Sequence, residues 1–218
     1  MAKKSMFSGE EFKTSRCRLS FAFKLFSPRA QANAKPKYGC TLIFPKSERK
    51  ALEAKVAEAI KGEWGDKGIE MAKSGIIKNP VLSGDGKEAR NKETGEFHPG
   101  MGPDVVFIRT QARAVDDNGN KVRPPAVRWR DKDFQESEGN VYSGCYGKAV
   151  VNAFTWEFEA NGKGVSFGIA MFQKLEEGER IGGRGPVDAN KYVETIEDAG
   201  EAPDSTKGGD GAAGLFGG

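Results

Sequence analysis

Apolar residues occupy every second position in the stretch CRLSFAFKLF. Cys17, Leu19, Phe21, Phe23 and Leu25 alternate with Arg18, Ser20, Ala22 and Lys24. A period of two with one apolar side predicts a half-buried strand whose other side is partly basic. KYGCTLIFP predicts a second strand, after a turn-rich link that holds Pro28 and Pro36. The period then lengthens to four. Leu52, Val56 and Ile60 predict a helix of about 14 residues, with Ser47 as N-cap and Gly62 just past its C-terminus. DKGIEMAKSG adds a short second helix.

Between Ile76 and Pro103 no period holds, and the turn signals Asp85-Gly86 and Thr94-Gly95 fall inside the gap. So long a loop inside a compact domain is usually functional or partly disordered. Strands resume at DVVFIRTQARAV, and DDNGN predicts a hairpin turn into KVRPPAVRWRD. A second hairpin joins VYSGCYGKAVVNAFTWEF to KGVSFGIAMFQKL through ANGKG, with Gly144 and Gly147 bending the first of these strands. The fold predicted is mostly antiparallel β with one main α-helix, in a closed or partly open small barrel. From Gly178 onward all apolar periodicity is lost, and the chain reads as a flexible tail.

Charge sharpens this division. Residues 187–218 hold two basic and seven acidic side chains, a balance of −5, so residues 1–186 carry +8 of the net +3. A basic body favours a polyanion, and an acidic tail recruits basic partners or competes with that polyanion. Three cysteines without a CxxC argue against a disulfide framework and for a reducing compartment. No run approaches the roughly 18 apolar residues of a membrane span. MAKKSMFSGEEF has two lysines but no apolar run after them, unlike a secretory signal.

Three chemistries are set aside on spacing. Cys145 in SGCYG with His98, the one histidine, would make a Cys–His pair. A nucleophilic thiol wants a helix N-terminus or a cation beside it, whereas Cys145 opens a strand. Cys17, Cys40, Cys145 and His98 lie too far apart in sequence for a structural zinc site, which pairs ligands two to four residues apart. GDGKE lacks the earlier glycine and following hydroxyl residue of a phosphate loop. No cofactor, metal or catalytic constellation is expected.

Nucleic-acid binding has more behind it, because single strands are held by cations along the phosphates and aromatic rings against the bases. VVFIRTQAR sets Phe107, Arg109, Gln111 and Arg113 on one side; VRWRD sets Arg128 and Arg130 around Trp129; YSGCYGK offers Tyr142, Tyr146 and Lys148. Arg16 and Arg18 add cations on the first strand. Trp129, Tyr142 and Tyr146 are the expected stacking rings, with the side-chain-free Gly144 leaving a flat place between the tyrosines and Cys145 turned to the core.

VYSGCYGKAVV, with RPPAVRWRD before it and GKGVSFGIAMFQKLEEGERIGG after it, resembles a family of bacteriophage single-stranded-DNA-binding proteins over most of residues 5–183. The resemblance implies an OB-fold, a five-stranded antiparallel barrel with a helix, that coats single strands during phage DNA replication and recombination. It implies a binding domain over 1–183 and a flexible acidic tail over 184–218 that meets phage or host replication proteins. On that tail Asp198, Glu201, Asp204 and Asp210 supply charge, and Leu215 and Phe216 an apolar anchor. Cooperative or dimeric assembly on DNA, no membrane partner, and the cytoplasm of an infected bacterium complete the expectation. The competing expectation is a phage structural or interaction protein whose basic face meets an acidic partner.

Overall fold

A computed structural model of the chain describes residues 6–30, 34–132, 134–158 and 162–182. They belong to the first of two units into which the chain divides, Met1–Gly183 and Arg184–Gly218. The expected tail, including Asp198, Glu201, Asp204, Asp210, Leu215 and Phe216, lies outside the described residues.

Nine strands and one long helix make up most of the described unit. In chain order they are β1 (Phe12–Lys13), β2 (Cys17–Ser20), the single turn α1 (Phe23–Phe26), β3 (Lys37–Pro45), α2 (Arg49–Lys73), β4 (Ile77–Lys78), β5 (Leu82–Ser83), β6 (Val105–Arg113), β7 (Ala126–Trp129), the turn α3 (Phe134–Ser137), β8 (Tyr146–Phe158) and β9 (Gly162–Glu176). β2 pairs with β3, β3 with β6, β6 with β9, β9 with β8, and β8 again with β2. β1 extends the β8 edge, while β4 and β7 lie along the two ends of β9. Among the described residues no helix is long and apolar enough to cross a membrane.

Alternation along β8 shows why this sheet forms. Gly147, Ala149, Val151, Ala153 and Thr155 are buried, while Tyr146, Lys148, Val150, Asn152, Phe154 and Trp156 stay half-buried on the outer side. The inner side packs against Leu19, Leu42, Phe44, Ile108, Phe167 and Phe172, all fully buried. Leu52, Val56 and Ile60 of α2 join the same core. At about 25 cal/mol per Å² of apolar area, this burial is the main force holding strands and helix together.

Several expectations change. β6–β9 and β7–β9 pair in parallel, so the sheet is not wholly antiparallel. DDNGN closes only the isolated bridge Val115↔Lys121, and β7 runs on to β9 instead of folding back on β6. The helix does not stop at Gly62. A side chain there would collide with the Phe7 ring, and the helix runs on to Trp64; the non-helical Gly65 (φ 61°) then divides off a second helical stretch ending at Lys73, the short second helix expected at DKGIEMAKSG. Ser47 lies in a short 3-10 turn ahead of the helix and caps nothing.

The first strand ends early. After Ser20 the backbone turns at Phe21 (φ 55°), the Ala22 N–H donates to Ser143 Oγ at 3.0 Å, and Leu25 enters the core from α1. The long loop is ordered into β4, β5, a short 3-10 turn at Lys87–Ala89 and the bridge Arg90↔Phe97. It lays Ala89 and Met101 over the outer side of β3 and β6, against Ile43 and Phe107, with Ile181 closing the cluster.

Candidate nucleic-acid interface

The expected residues fall into three groups, and the structure gives them different work. Phe107 is 1% exposed, the centre of the small outer cluster with Ile43, Ala89 and Ile181. It therefore cannot offer a ring to a base. Period two put it on the face of Arg109 correctly, but could not show that the aperiodic loop before β6, together with Ile181, covers that end of the face.

Tyr142 and Tyr146 are also committed. The Arg16 guanidinium lies 3.8 Å from the Tyr146 ring centroid, with Arg18 5.7 Å away. Arg180 lies 4.0 Å from the Tyr142 ring, and Lys174 4.8 Å from it. The flat place expected at Gly144 is filled, because a side chain there would overlap the Glu179 carbonyl, and its φ of 116° favours glycine. Segment 176–181 is strapped across both tyrosines. Arg16 donates to both Glu176 carboxylate oxygens (Nε 3.0 Å, Nη2 2.6 Å), Arg18 Nη2 donates to the Glu179 carbonyl at 2.9 Å, and the Ile181 N–H to the Ser143 carbonyl at 2.9 Å. The Tyr142 hydroxyl donates to Glu177 and receives the Gly178 N–H at 3.2 Å.

Lys174, 5% exposed, is the buried cation of this strap. Its Nζ donates to the Asn140 carbonyl at 2.8 Å and to Glu177 at 2.6 Å. Hydrogen bonds from Arg16 hold the Glu176 carboxyl below its ordinary range, and those from Lys174 and Tyr142 do the same for Glu177. Burial, reinforced by Glu177, raises the Tyr142 hydroxyl. Cys145 is fully buried as expected. Burial raises its thiol and pushes those of Cys17 and Cys40 up to about 12, far from thiolate chemistry. Among the described residues no cluster of His, Cys, Asp or Glu could hold a metal ion.

On β7, Trp129 is half-buried against the core, with Arg130 (φ 57°) 5.1 Å from its ring. Arg128 lies beside Gln173 of β9, and Gln173 beside Lys148 of β8, so Arg128 and Lys148 share one row of the outer sheet face.

The third group lies on β3 and β6. Arg109 is exposed, and its Nη2 donates to the Glu88 carbonyl at 2.7 Å. Arg113 is exposed directly opposite Lys37, and Lys37 forms a narrow antiparallel pair with Arg29 (N–H to carbonyl 2.9 and 3.0 Å). Opposed residues share a face, so Arg29, Lys37 and Arg113 set three cations side by side across neighbouring strands. Lys37 Nζ reaches Gln111 Oε1 at 2.7 Å, and among the described residues none of the three makes an ion pair. Like charges directly opposed in a sheet oppose folding. Arg29 and Lys37 escaped sequence reasoning because they lie in and after a turn-rich link with no period, and only the strand register joins them to Arg113.

A family model described as "Enterobacter phage Enc34, ssDNA-binding protein" matches residues 10–202. Putative protein p50 of Acyrthosiphon pisum secondary endosymbiont phage 1 is 26% identical over 190 residues, which cover 84% of this chain and 92% of that protein. The solved structure of the single-stranded DNA-binding protein from bacteriophage Enc34 in complex with ssDNA superposes with a TM-score of 0.56 at 20% identity, covering 83% of this chain and 97% of that one. Gp2.5, a single-stranded DNA binding protein encoded by bacteriophage T7, superposes with a TM-score of 0.50 at 13% identity, covering 86% and 97%. At these identities the structural likeness concerns the fold.

Proposed function

The chain belongs to the family of the Enterobacter phage Enc34 ssDNA-binding protein, and on that premise we propose that it binds single-stranded DNA in phage DNA replication through the outer face of β3 and β6. The observation that carries this site is the row Arg29–Lys37–Arg113. Three adjacent cations without carboxylate partners among the described residues oppose one another in the sheet and are favourable against a phosphate chain. Arg109 lengthens the row along β6, and Lys148 with Arg128 offers a second cationic strip around the sheet.

We read the ring of pairings β2–β3–β6–β9–β8–β2 as the closed five-stranded barrel of an OB-fold, with parallel β6–β9 contact. In that fold the faces of the second and third strands take oligonucleotides, and here those strands are β3 and β6. Arg16, Arg18, Tyr142 and Tyr146 then serve the site indirectly, by fixing segment 176–181. Residues 1–183 form the binding domain. The acidic residues of 184–218 compete with DNA for the cationic row and recruit replication partners, a reading that rests on their charge. The function is binding rather than catalysis, exercised in the cytoplasm of the infected cell.

Titration of the protein with oligo-dT and with duplex DNA across a salt series tests this reading. Tight, salt-sensitive binding selective for the single strand is expected. Equal affinity for duplex, or no affinity for either, would overturn it.

A further inference from the structure

Two phenylalanines on the turn after β2, Phe21 and Phe23, belong to neither buried apolar cluster. Ala22 and Leu25 anchor this turn in the core, at 3% and 0% exposure, and Ser143 Oγ accepts the Ala22 N–H. Phe23 points the other way and is 48% exposed. One turn of helix anchored by Leu25 has no packing need for a large ring at that position, where a polar residue would serve. Phe21, beside it, holds a backbone conformation (φ 55°) that aromatic residues seldom adopt. Such strain persists where the surroundings enforce it, and it gathers at binding sites.

The rings form an ordered chain. Phe23 meets Phe21 edge-on at 6.4 Å, and Phe21 meets His98 of the long loop edge-on at 5.7 Å. Cations rim the exposed end: Arg29 lies 5.6 Å and Lys24 5.9 Å from the Phe23 ring. Arg29 is the first member of the row Arg29–Lys37–Arg113. An exposed ring at the end of three cations that make no ion pair among the described residues has the two elements that single-strand recognition requires, a π-face for a base and charge for the phosphates on either side of it.

We propose that Phe23 is a base-stacking residue, with Phe21 and His98 positioning it from behind and the Arg29–Lys37–Arg113 row holding the flanking phosphates. This rests on the single-stranded-DNA reading and replaces Tyr142 and Tyr146 as stacking rings. Phe23 stacks one unpaired base of any identity, because every base has a π-face, and duplex DNA is refused there because its bases are already stacked on one another.

The test compares oligo-dT with an abasic oligonucleotide of the same length and backbone charge, using the full chain, wild type and Phe23→Ala. Phe23→Ala should weaken oligo-dT binding about 5- to 150-fold, the span of one base–aromatic stack, and leave abasic binding unchanged. Phe23→Trp should restore oligo-dT affinity, with its added indole fluorescence quenched on binding. Equal oligo-dT affinity of Phe23→Ala and wild type, or equal losses for oligo-dT and the abasic strand, would overturn the assignment. A wild-type protein that bound neither strand would instead remove the functional reading beneath it. Because Phe23 is exposed, Phe23→Ala should melt with the wild type.

Discussion

Replacing Lys37 and Arg113 together by glutamine should weaken DNA binding while making the protein slightly more stable. The two residues face each other across β3 and β6, and Lys37 also faces Arg29. Two like charges taken at about 8 Å in water cost ~0.5 kcal/mol, reduced to ~0.2 kcal/mol by physiological salt. Removing both pairs recovers roughly 0.4 kcal/mol, a rise in Tm of about 1 °C for a domain of this size. Against DNA the sign reverses. Each phosphate neutralised on a single strand contributes a slope of about −0.7 in log K against log salt, so the double variant should lose about 1.4 from that slope. At 0.1 M salt this is about 25-fold in affinity, shrinking toward no difference as salt approaches 1 M. Fluorescence titration with oligo-dT at four or five salt concentrations, beside thermal melting of the free protein, reads both effects. Parallel salt lines for variant and wild type would refute the assignment of these cations to phosphates. A Tm several degrees lower would refute the claim that the row opposes folding.

Three further outcomes follow from the same geometry. Phe107→Ala should cost roughly 3–5 kcal/mol of stability through a cavity in the outer cluster, while the folded fraction retains its DNA affinity; a selective loss of binding without a fall in Tm would restore Phe107 to the interface. The Glu176 and Glu177 carboxyls are held below their ordinary values, so their pairs stabilise the fold above the unfolded carboxylate range and release that stabilisation as pH falls through the lowered folded values. Melting between pH 7 and pH 3 should accordingly be less acid-sensitive in a Glu176→Gln/Glu177→Gln variant, and an unchanged acid profile would count against the strap. All three thiols are buried and raised, so a thiol reagent at pH 8 should modify none until denaturant is added; rapid native labelling of Cys145 would reopen the question of its reactivity.

Much of the architecture was legible in local pattern. Apolar runs between turn signals located β3, β6, β8 and β9, spacing of four located the first part of α2, and the glycine-bracketed Cys145 was correctly read as a core residue. These succeeded because β8, β9 and the first part of α2 each bury one face of their own at a period of two or close to four, while β3 reads as a continuous apolar run buried on both faces. The candidate site was legible only in composition. A surplus of cations in residues 1–186 and their mixing with aromatics pointed to a single-stranded polyanion, but local pattern could not tell a ring that meets solvent from one that meets a guanidinium.

That distinction belongs to contacts between distant segments. Tyr146 lies beneath Arg16, Tyr142 beneath Arg180, and Phe107 beneath Ala89 of the loop before β6 and Ile181 near the other end of the described chain. Phe23, which alternation assigned to a buried strand face, is carried outward because Phe21 turns the chain and Leu25 takes the core position. The row Arg29–Lys37–Arg113 exists only through strand register, since Arg29 and Arg113 are brought together by two separate pairings with Lys37. By itself the sequence determined that a basic, mostly β body precedes an acidic segment, because charge and periodicity are local sums. Tertiary structure decided which aromatics and cations remain available to DNA, because availability depends on what else in the chain has already satisfied them.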